Sequence, residues 1–113
     1  GLGSGDMLEV AHMGLHVAQM TGQAAMLQCF EAVTETPAAI LGLSGYGIEP
    51  GCQADFVLLQ AGDPVEAIRL RAARLAVVRR GTVIARGEPR VARLCLPGRP
   101  QSTDWRRPPS ARP

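Results

Sequence analysis

Residues Tyr46 to Leu59 read Tyr-Gly-Ile-Glu-Pro-Gly-Cys-Gln-Ala-Asp-Phe-Val-Leu-Leu, an order that specifies a tight turn feeding a buried strand. Pro50 presets φ near −65° for the second position of a turn, and Gly51 supplies the positive φ that a type II turn requires next. Ala54 leaves room for close backbone packing, and Asp55 is placed to bond neighbouring amides where the turn ends. Phe56, Val57, Leu58 and Leu59 form a short unbroken apolar run, the pattern of a strand covered on both faces. Nothing in these fourteen positions is of itself catalytic.

Upstream of this stretch the chain reads as helical. Asp6 suits an N-cap, with Glu9 three residues later in a capping-box-like arrangement. From Met7 to about Met20, Met7, Val10, Ala11, Gly14, Val17 and Ala18 mark one apolar face, and Leu8 and Leu15 widen it. So wide a stripe needs cover on more than one side. Gly14, at a cost of about 1 kcal/mol against Ala in mid-helix, predicts a second backbone packed close by. Gly22 suits the left-handed position that ends this helix. A second helix is predicted over about Gln23 to Val33, burying Met26, Leu27, Phe30 and Val33. Thr36-Pro37 predicts a cap and first turn for a short helix to about Leu43.

Downstream, Asp63-Pro64 repeats that device and opens a helix to about Arg71. Leu75 to Val78 and Thr82 to Ala85 are β-rich runs joined by Arg79-Arg80-Gly81, a hairpin in which Gly81 takes a bulge's positive φ. Val91 to Leu96 predicts one more strand. From Pro97 to Pro113, Pro, Arg and Ser dominate, the composition of a disordered tail. No internal repeat is visible.

Composition excludes several function classes. The chain is 113 residues long and 46% hydrophobic, sufficient for one domain but well short of the about 250 residues of a (β/α)8 barrel. Aromatic content of 4% leaves little material for stacking nucleic-acid bases. Cys29, Cys52 and Cys95 are odd in number and widely spaced, which argues against a zinc ribbon or a secreted disulfide framework and for a reducing cytoplasm. No apolar run reaches the about 18 residues of a membrane span. Eight of the ten acids precede residue 67, whereas all twelve basic residues are arginines from Arg69 onward. Without clustered aromatics or a nucleic-acid motif, the arginines read as a solvated hairpin face and tail rather than a phosphate-contacting arm.

Three places in the sequence offer candidate chemistry. His12 and His16, four apart, stack one above the other on a helix and are spaced to ligate one metal. The run His-Met-Gly-Leu-His lacks a zincin's glutamate after the first histidine, Glu9 is at best a third ligand or hydrogen-bond partner, and no remote ligand completes the set. The pattern therefore predicts a pair of helix histidines bonded to neighbouring groups. Thr34 and Thr36 have no histidine or lysine nearby in sequence to activate a hydroxyl, so capping accounts for them better. Gly1-Leu2-Gly3-Ser4-Gly5 matches no phosphate-cradling spacing and reads as a loop.

The pattern Y-G-I-x-x-G-x-x-A-D before four apolar residues resembles the C-terminal segment of the metal-dependent amidohydrolase superfamily. Leu2-Gly3, Met7-Leu8, Val10 and His12-Met13-Gly14-Leu15-His16-Val17 are similar to the helix after the last barrel strand of cytosine deaminases, and Val78 to Ile84 resembles a hairpin of the same family. The resemblance covers roughly residues 2 to 96. It implies an α+β fragment: residues 1–45 as terminal helices of a (β/α)8 barrel, 46–96 as part of a small β-sandwich, and 97–113 as a tail.

The implied activity is hydrolytic deamination of an aminated pyrimidine, cytosine to uracil and ammonia, in pyrimidine metabolism. It depends on a divalent metal, iron or zinc, held by a His-x-His, two later histidines and an aspartate. None of those motifs is present, and the chain is expected to begin just beyond the aspartate. No catalytic, cofactor-binding or metal-binding residue is therefore assigned here, and the chain alone is expected to be inactive. Its expected partners are the small-molecule pyrimidine of the full-length enzyme and the missing N-terminal portion, with homo-oligomerisation open and neither nucleic acid nor membrane involved. A freestanding structural or interaction module is the alternative.

Overall fold

The computed structural model describes residues 3–101. Four helices and three strands follow in the order α1 (Met7–Val17), α2 (Gln23–Glu31), α3 (Glu35–Ile40), β1 (Phe56–Leu59), α4 (Pro64–Leu70), β2 (Arg74–Arg79) and β3 (Thr82–Arg86). The strands form one antiparallel sheet in the order β1-β2-β3. This is a small α+β arrangement. The strand predicted over Val91 to Leu96 does not form: those residues are irregular and exposed, and Leu94 N–H donates to Gln101 C=O, 2.8 Å, closing a loop. Of the predicted tail, residues 102–113 lie outside the described residues.

The core lies between helices. Leu8, Ala11 and Leu15, spaced i, i+3, i+7, bury one stripe of α1 against Ile68 of α4, and Met20, Met26, Phe30, Val33 and Leu59 pack around them. Ile68 is completely buried. Of the predicted face only Ala11 is buried, together with Leu8 and Leu15, the residues expected to widen it. Met7, Val10 and Val17 remain exposed, Val17 to 81%. At Gly14 a side-chain carbon would meet open space, so the close backbone expected there is not supplied by this chain. In α2 no residue is fully buried, and Leu27 is exposed.

Local chemistry explains the helix ends. Asp6 accepts from Leu8 N–H at 2.8 Å, and Asp63 from Glu66 N–H at 2.8 Å with Pro64 in the first turn. Glu9 does not reach back to Asp6; its Oε2 accepts from Ser4 Oγ at 2.5 Å. Helix α1 stops earlier than predicted, at Gln19 rather than Gly22. Gln19 has φ 54°, its N–H donates to His16 C=O at 3.3 Å, and Met20 N–H donates to Leu15 C=O at 2.9 Å, a Schellman closure. Gly22 instead precedes α2 in an extended conformation. The third helix begins one residue before the expected cap, and Thr34 Oγ1 donates backward to Phe30 C=O at 2.9 Å instead of capping it.

The turn before β1 forms as its residues specify: Gly51 has φ 96°, and Cys52 N–H donates to Glu49 C=O at 3.1 Å. Cover on both faces of β1 does not follow. Phe56, Val57 and Leu58 are 42%, 44% and 53% exposed, and Leu59 alone reaches the helical core. At the other hairpin, Arg79 pairs with Thr82, leaving Arg80 (φ 48°) and Gly81 (φ 75°) as a two-residue loop of the kind that matches strand twist.

Candidate functional site

Two groups of polar side chains tie the helices and sheet together. At the start of α1, Asp6 is held by both terminal nitrogens of Arg74 on β2, Nη1 to Oδ2 and Nη2 to Oδ1. The guanidinium, through its hydrogen bond first, holds the Asp6 carboxyl below the ordinary value of 3.8; partial burial opposes this, and the Leu8 and Glu9 amides and the charge of Arg74 reinforce it. The same bond raises Arg74 against the opposing effect of burial. Residues 68 positions apart are thereby fixed together, so the cap of α1 is also its anchor to the sheet.

The second group completes the turn-and-strand motif. Asp55 Oδ1 accepts from Arg80 N–H at 2.6 Å, and Ala54 C=O accepts from Gly81 N–H at 3.0 Å. Asp55 therefore bonds an amide 25 residues away rather than the neighbouring amides its sequence context suggested. The alanine-aspartate pair clamps the tip of the β2–β3 hairpin. At the opposite end, Gly87 N–H donates to Leu75 C=O at 3.1 Å, and a side chain at Gly87 would collide with Arg74 C=O. No local sequence signal distinguishes this glycine.

His12 and His16 are brought together. The Nδ1–H of His12 donates to Ile68 C=O at 2.9 Å, and the two Nε2 atoms stand 3.2 Å apart, with rings edge to face and centroids 4.6 Å apart. With the His12 proton on Nδ1, His16 Nε2–H is the donor to His12 Nε2. Glu9 is engaged by Ser4 and lies 4.0 Å from Arg71. Among the described residues no three His, Cys, Asp or Glu side chains converge in a metal-binding arrangement. The pair lacks the three protein ligands and open position of a catalytic centre, so these residues do not fit the catalytic metal that the family resemblance implies.

The other candidates do not assemble into a site. The Thr34 hydroxyl is committed to a backbone carbonyl. Cys29, Cys52 and Cys95 are free thiols, with Cys29 Sγ 3.5 Å from Met20 Sδ in the helical core. Gly1 and Leu2 of the glycine-rich start lie outside the described residues. No described helix is long and apolar enough to cross a membrane. What the structure does present is uncovered apolar surface on α1 and on both outer strands, where Val83 and Ile84 are exposed alongside Phe56 to Leu58.

Known proteins carry this same arrangement as part of something larger. The chain matches the Amidohydrolase family over residues 1–91. It is 33% identical over 91 residues to N-isopropylammelide isopropyl amidohydrolase of Pseudomonas sp. (strain ADP), covering 80% of this chain and 23% of that protein. Its structure is similar to that of 5-methylcytosine deaminase from Klebsiella pneumoniae liganded with phosphonocytosine, with TM-score 0.72, 34% identity, and 79% of this chain but 22% of that one covered. It is also similar to N-isopropylammelide isopropylaminohydrolase from Burkholderia multivorans, with TM-score 0.70, 37% identity, and 74% and 22% covered. The chain thus spans less than a quarter of the length of these relatives. A family match through nearly all of the helical and sheet residues, joined to likeness in both sequence and structure, shows that this chain belongs to the amidohydrolase family.

Proposed function

We propose that the chain is the C-terminal portion of a metal-dependent hydrolase that deaminates an aminated pyrimidine, with cytosine the leading substrate. The observation that carries this reading is the likeness to a 5-methylcytosine deaminase, together with the His-Met-Gly-Leu-His-Val run on α1. Residues 1–45 are read as the helical end of the barrel, 46–96 as a segment of the sandwich, and 97–113 as a tail. Unpaired Cys29, Cys52 and Cys95 support a cytoplasmic setting.

A divalent metal, iron or zinc, would supply activation of water in such a reaction; its ligands are assigned to the rest of the polypeptide. The residues present here have supporting work. Asp6 and Arg74 anchor α1 to the sheet, and Ala54 and Asp55 hold the hairpin. Met7, Val10 and Val17, with Phe56 to Leu58, offer apolar surface for the remainder of the protein to cover. A freestanding interaction module accounts less well for the family match over residues 1–91.

The test is made on the full-length polypeptide that contains this chain. Cytosine, 5-methylcytosine and N-isopropylammelide are supplied in turn, with ammonia and isopropylamine measured before and after removal of bound metal by a chelator. Ammonia from cytosine, lost on chelation and restored by iron or zinc, is the expected result. Release of isopropylamine with no ammonia from either pyrimidine would move the substrate to the other relatives' class, and no release from any of the three would overturn the proposal.

A further inference from the structure

From the geometry of α1 we infer that His12 and His16 form a two-histidine site for a late first-row divalent ion such as Ni²⁺, Cu²⁺ or Zn²⁺. Their Nε2 atoms are 3.2 Å apart. Two nitrogens each about 2.05 Å from one ion, at that separation, subtend about 100° at the metal, between the square and tetrahedral angles. The site is half organised in advance. His12 Nδ1–H donates to Ile68 C=O at 2.9 Å, the outer hydrogen bond that metal-binding histidines ordinarily make, and it fixes the tautomer whose lone pair is on Nε2. The carbonyl belongs to Ile68, whose side chain is completely buried, so the ring is held against the core.

His16 is exposed. Binding breaks the hydrogen bond between the two Nε2 atoms and requires that the His16 lone pair be on Nε2 and that the rings turn until both lone pairs meet at the shared point. Solvent completes the coordination sphere. Imidazole nitrogen selects nickel, copper and zinc over magnesium and calcium, which take oxygen.

At about 100° per residue, His12 and His16 lie about 100–160° around the helix from Val10 and Val17, so a partner seated on those two valines leaves the histidines on a different face. The inference rests on the distances within α1 and α4 and not on the reaction catalysed.

The experiment titrates Ni²⁺ by calorimetry into the full-length polypeptide that contains this chain, with any tightly bound metal left in place and Mg²⁺ as the control ion. One Ni²⁺ per chain is expected, weakened by at least about tenfold in His16→Ala, because the second imidazole acts at high effective concentration. Restoring a histidine one residue later, in His16→Ala/Val17→His, is expected not to recover binding, since position 17 faces elsewhere on the helix. Failure to bind Ni²⁺, affinity unchanged in His16→Ala, or full recovery in the shifted variant would each overturn the inference; the last would show that an unstructured histidine pair suffices.

Discussion

Breaking the Asp6–Arg74 anchor in two different ways separates its two roles. Asp6→Ala removes both the acceptor that caps α1 and the carboxylate that meets Arg74; Asp6→Asn keeps a capping oxygen and removes the charge. Loss of a cap costs about 1 kcal/mol. The side chains of Arg74 and Asp6 are 38% and 29% exposed, so solvent screening limits their pairing to about 0.5–1 kcal/mol despite the bidentate geometry. Asp6→Ala is therefore expected to cost about 1.5–2 kcal/mol, and Asp6→Asn about 0.5–1 kcal/mol.

Urea denaturation of the full-length polypeptide that contains this chain, followed by circular dichroism, measures both, and adding Arg74→Ala to each closes a double-mutant cycle. The coupling should equal the pairing alone, about 0.5–1 kcal/mol. The pH dependence has a definite sign. Because the folded state depresses the Asp6 carboxyl below 3.8, the unfolded chain binds the proton more readily. The contribution is complete above that ordinary value and disappears as pH falls through it and then through the lower folded value. Equal losses in Asp6→Ala and Asp6→Asn, zero coupling with Arg74→Ala, or a contribution lost between pH 7 and 5 would refute this account of the anchor.

Three further substitutions probe the turn and the hairpin. Gly51→Val should cost about 1–3 kcal/mol, because a β-branched residue resists φ 96°, and a lowered urea midpoint at unchanged slope checks it. Asp55→Ala should remove exchange protection from the Arg80 amide while leaving the Gly81 amide, held by Ala54 C=O, protected; equal loss at both would mean that the two bonds act as one. Gly87→Ala should cost about 1–3 kcal/mol through the clash with Arg74 C=O, seen as faster exchange of the Gly87 amide and a lower midpoint.

Features encoded within a few residues were legible in the sequence. Asp6 and Asp63 cap their helices, Pro50-Gly51 turns the chain, and Phe56 to Leu59 and the two hairpin runs pair as strands, because each depends on local backbone preferences. Contacts across long separations were not. Nothing near Asp6 indicates Arg74, nothing near Asp55 indicates the Arg80 amide, and Gly87 is required by a carbonyl thirteen residues earlier. The end of α1 was misplaced because a Schellman closure can be made by a glutamine at a cost in backbone strain, so the first glycine is not always the stop. The apolar run of β1 and the Met7, Val10 and Val17 face are exposed in this chain. Apolar pattern reports the surface that needs cover, and this chain does not provide all of it. The histidines were correctly anticipated as neighbours, whereas the Ile68 carbonyl that orients one of them was not accessible from spacing.

On the proposed function, this chain completes a larger hydrolase whose remaining portion covers the exposed apolar faces and carries the catalytic metal. The most direct test mixes the chain with the separately produced upstream portion of the same polypeptide, following light scattering and metal-dependent release of ammonia from cytosine together. The account predicts that the chain alone self-associates and releases no ammonia, and that mixing yields a defined assembly with turnover. A compact, monomeric, cooperatively melting chain would contradict the claim of uncovered faces, and ammonia released by the chain alone would contradict the assignment of catalysis to the remainder.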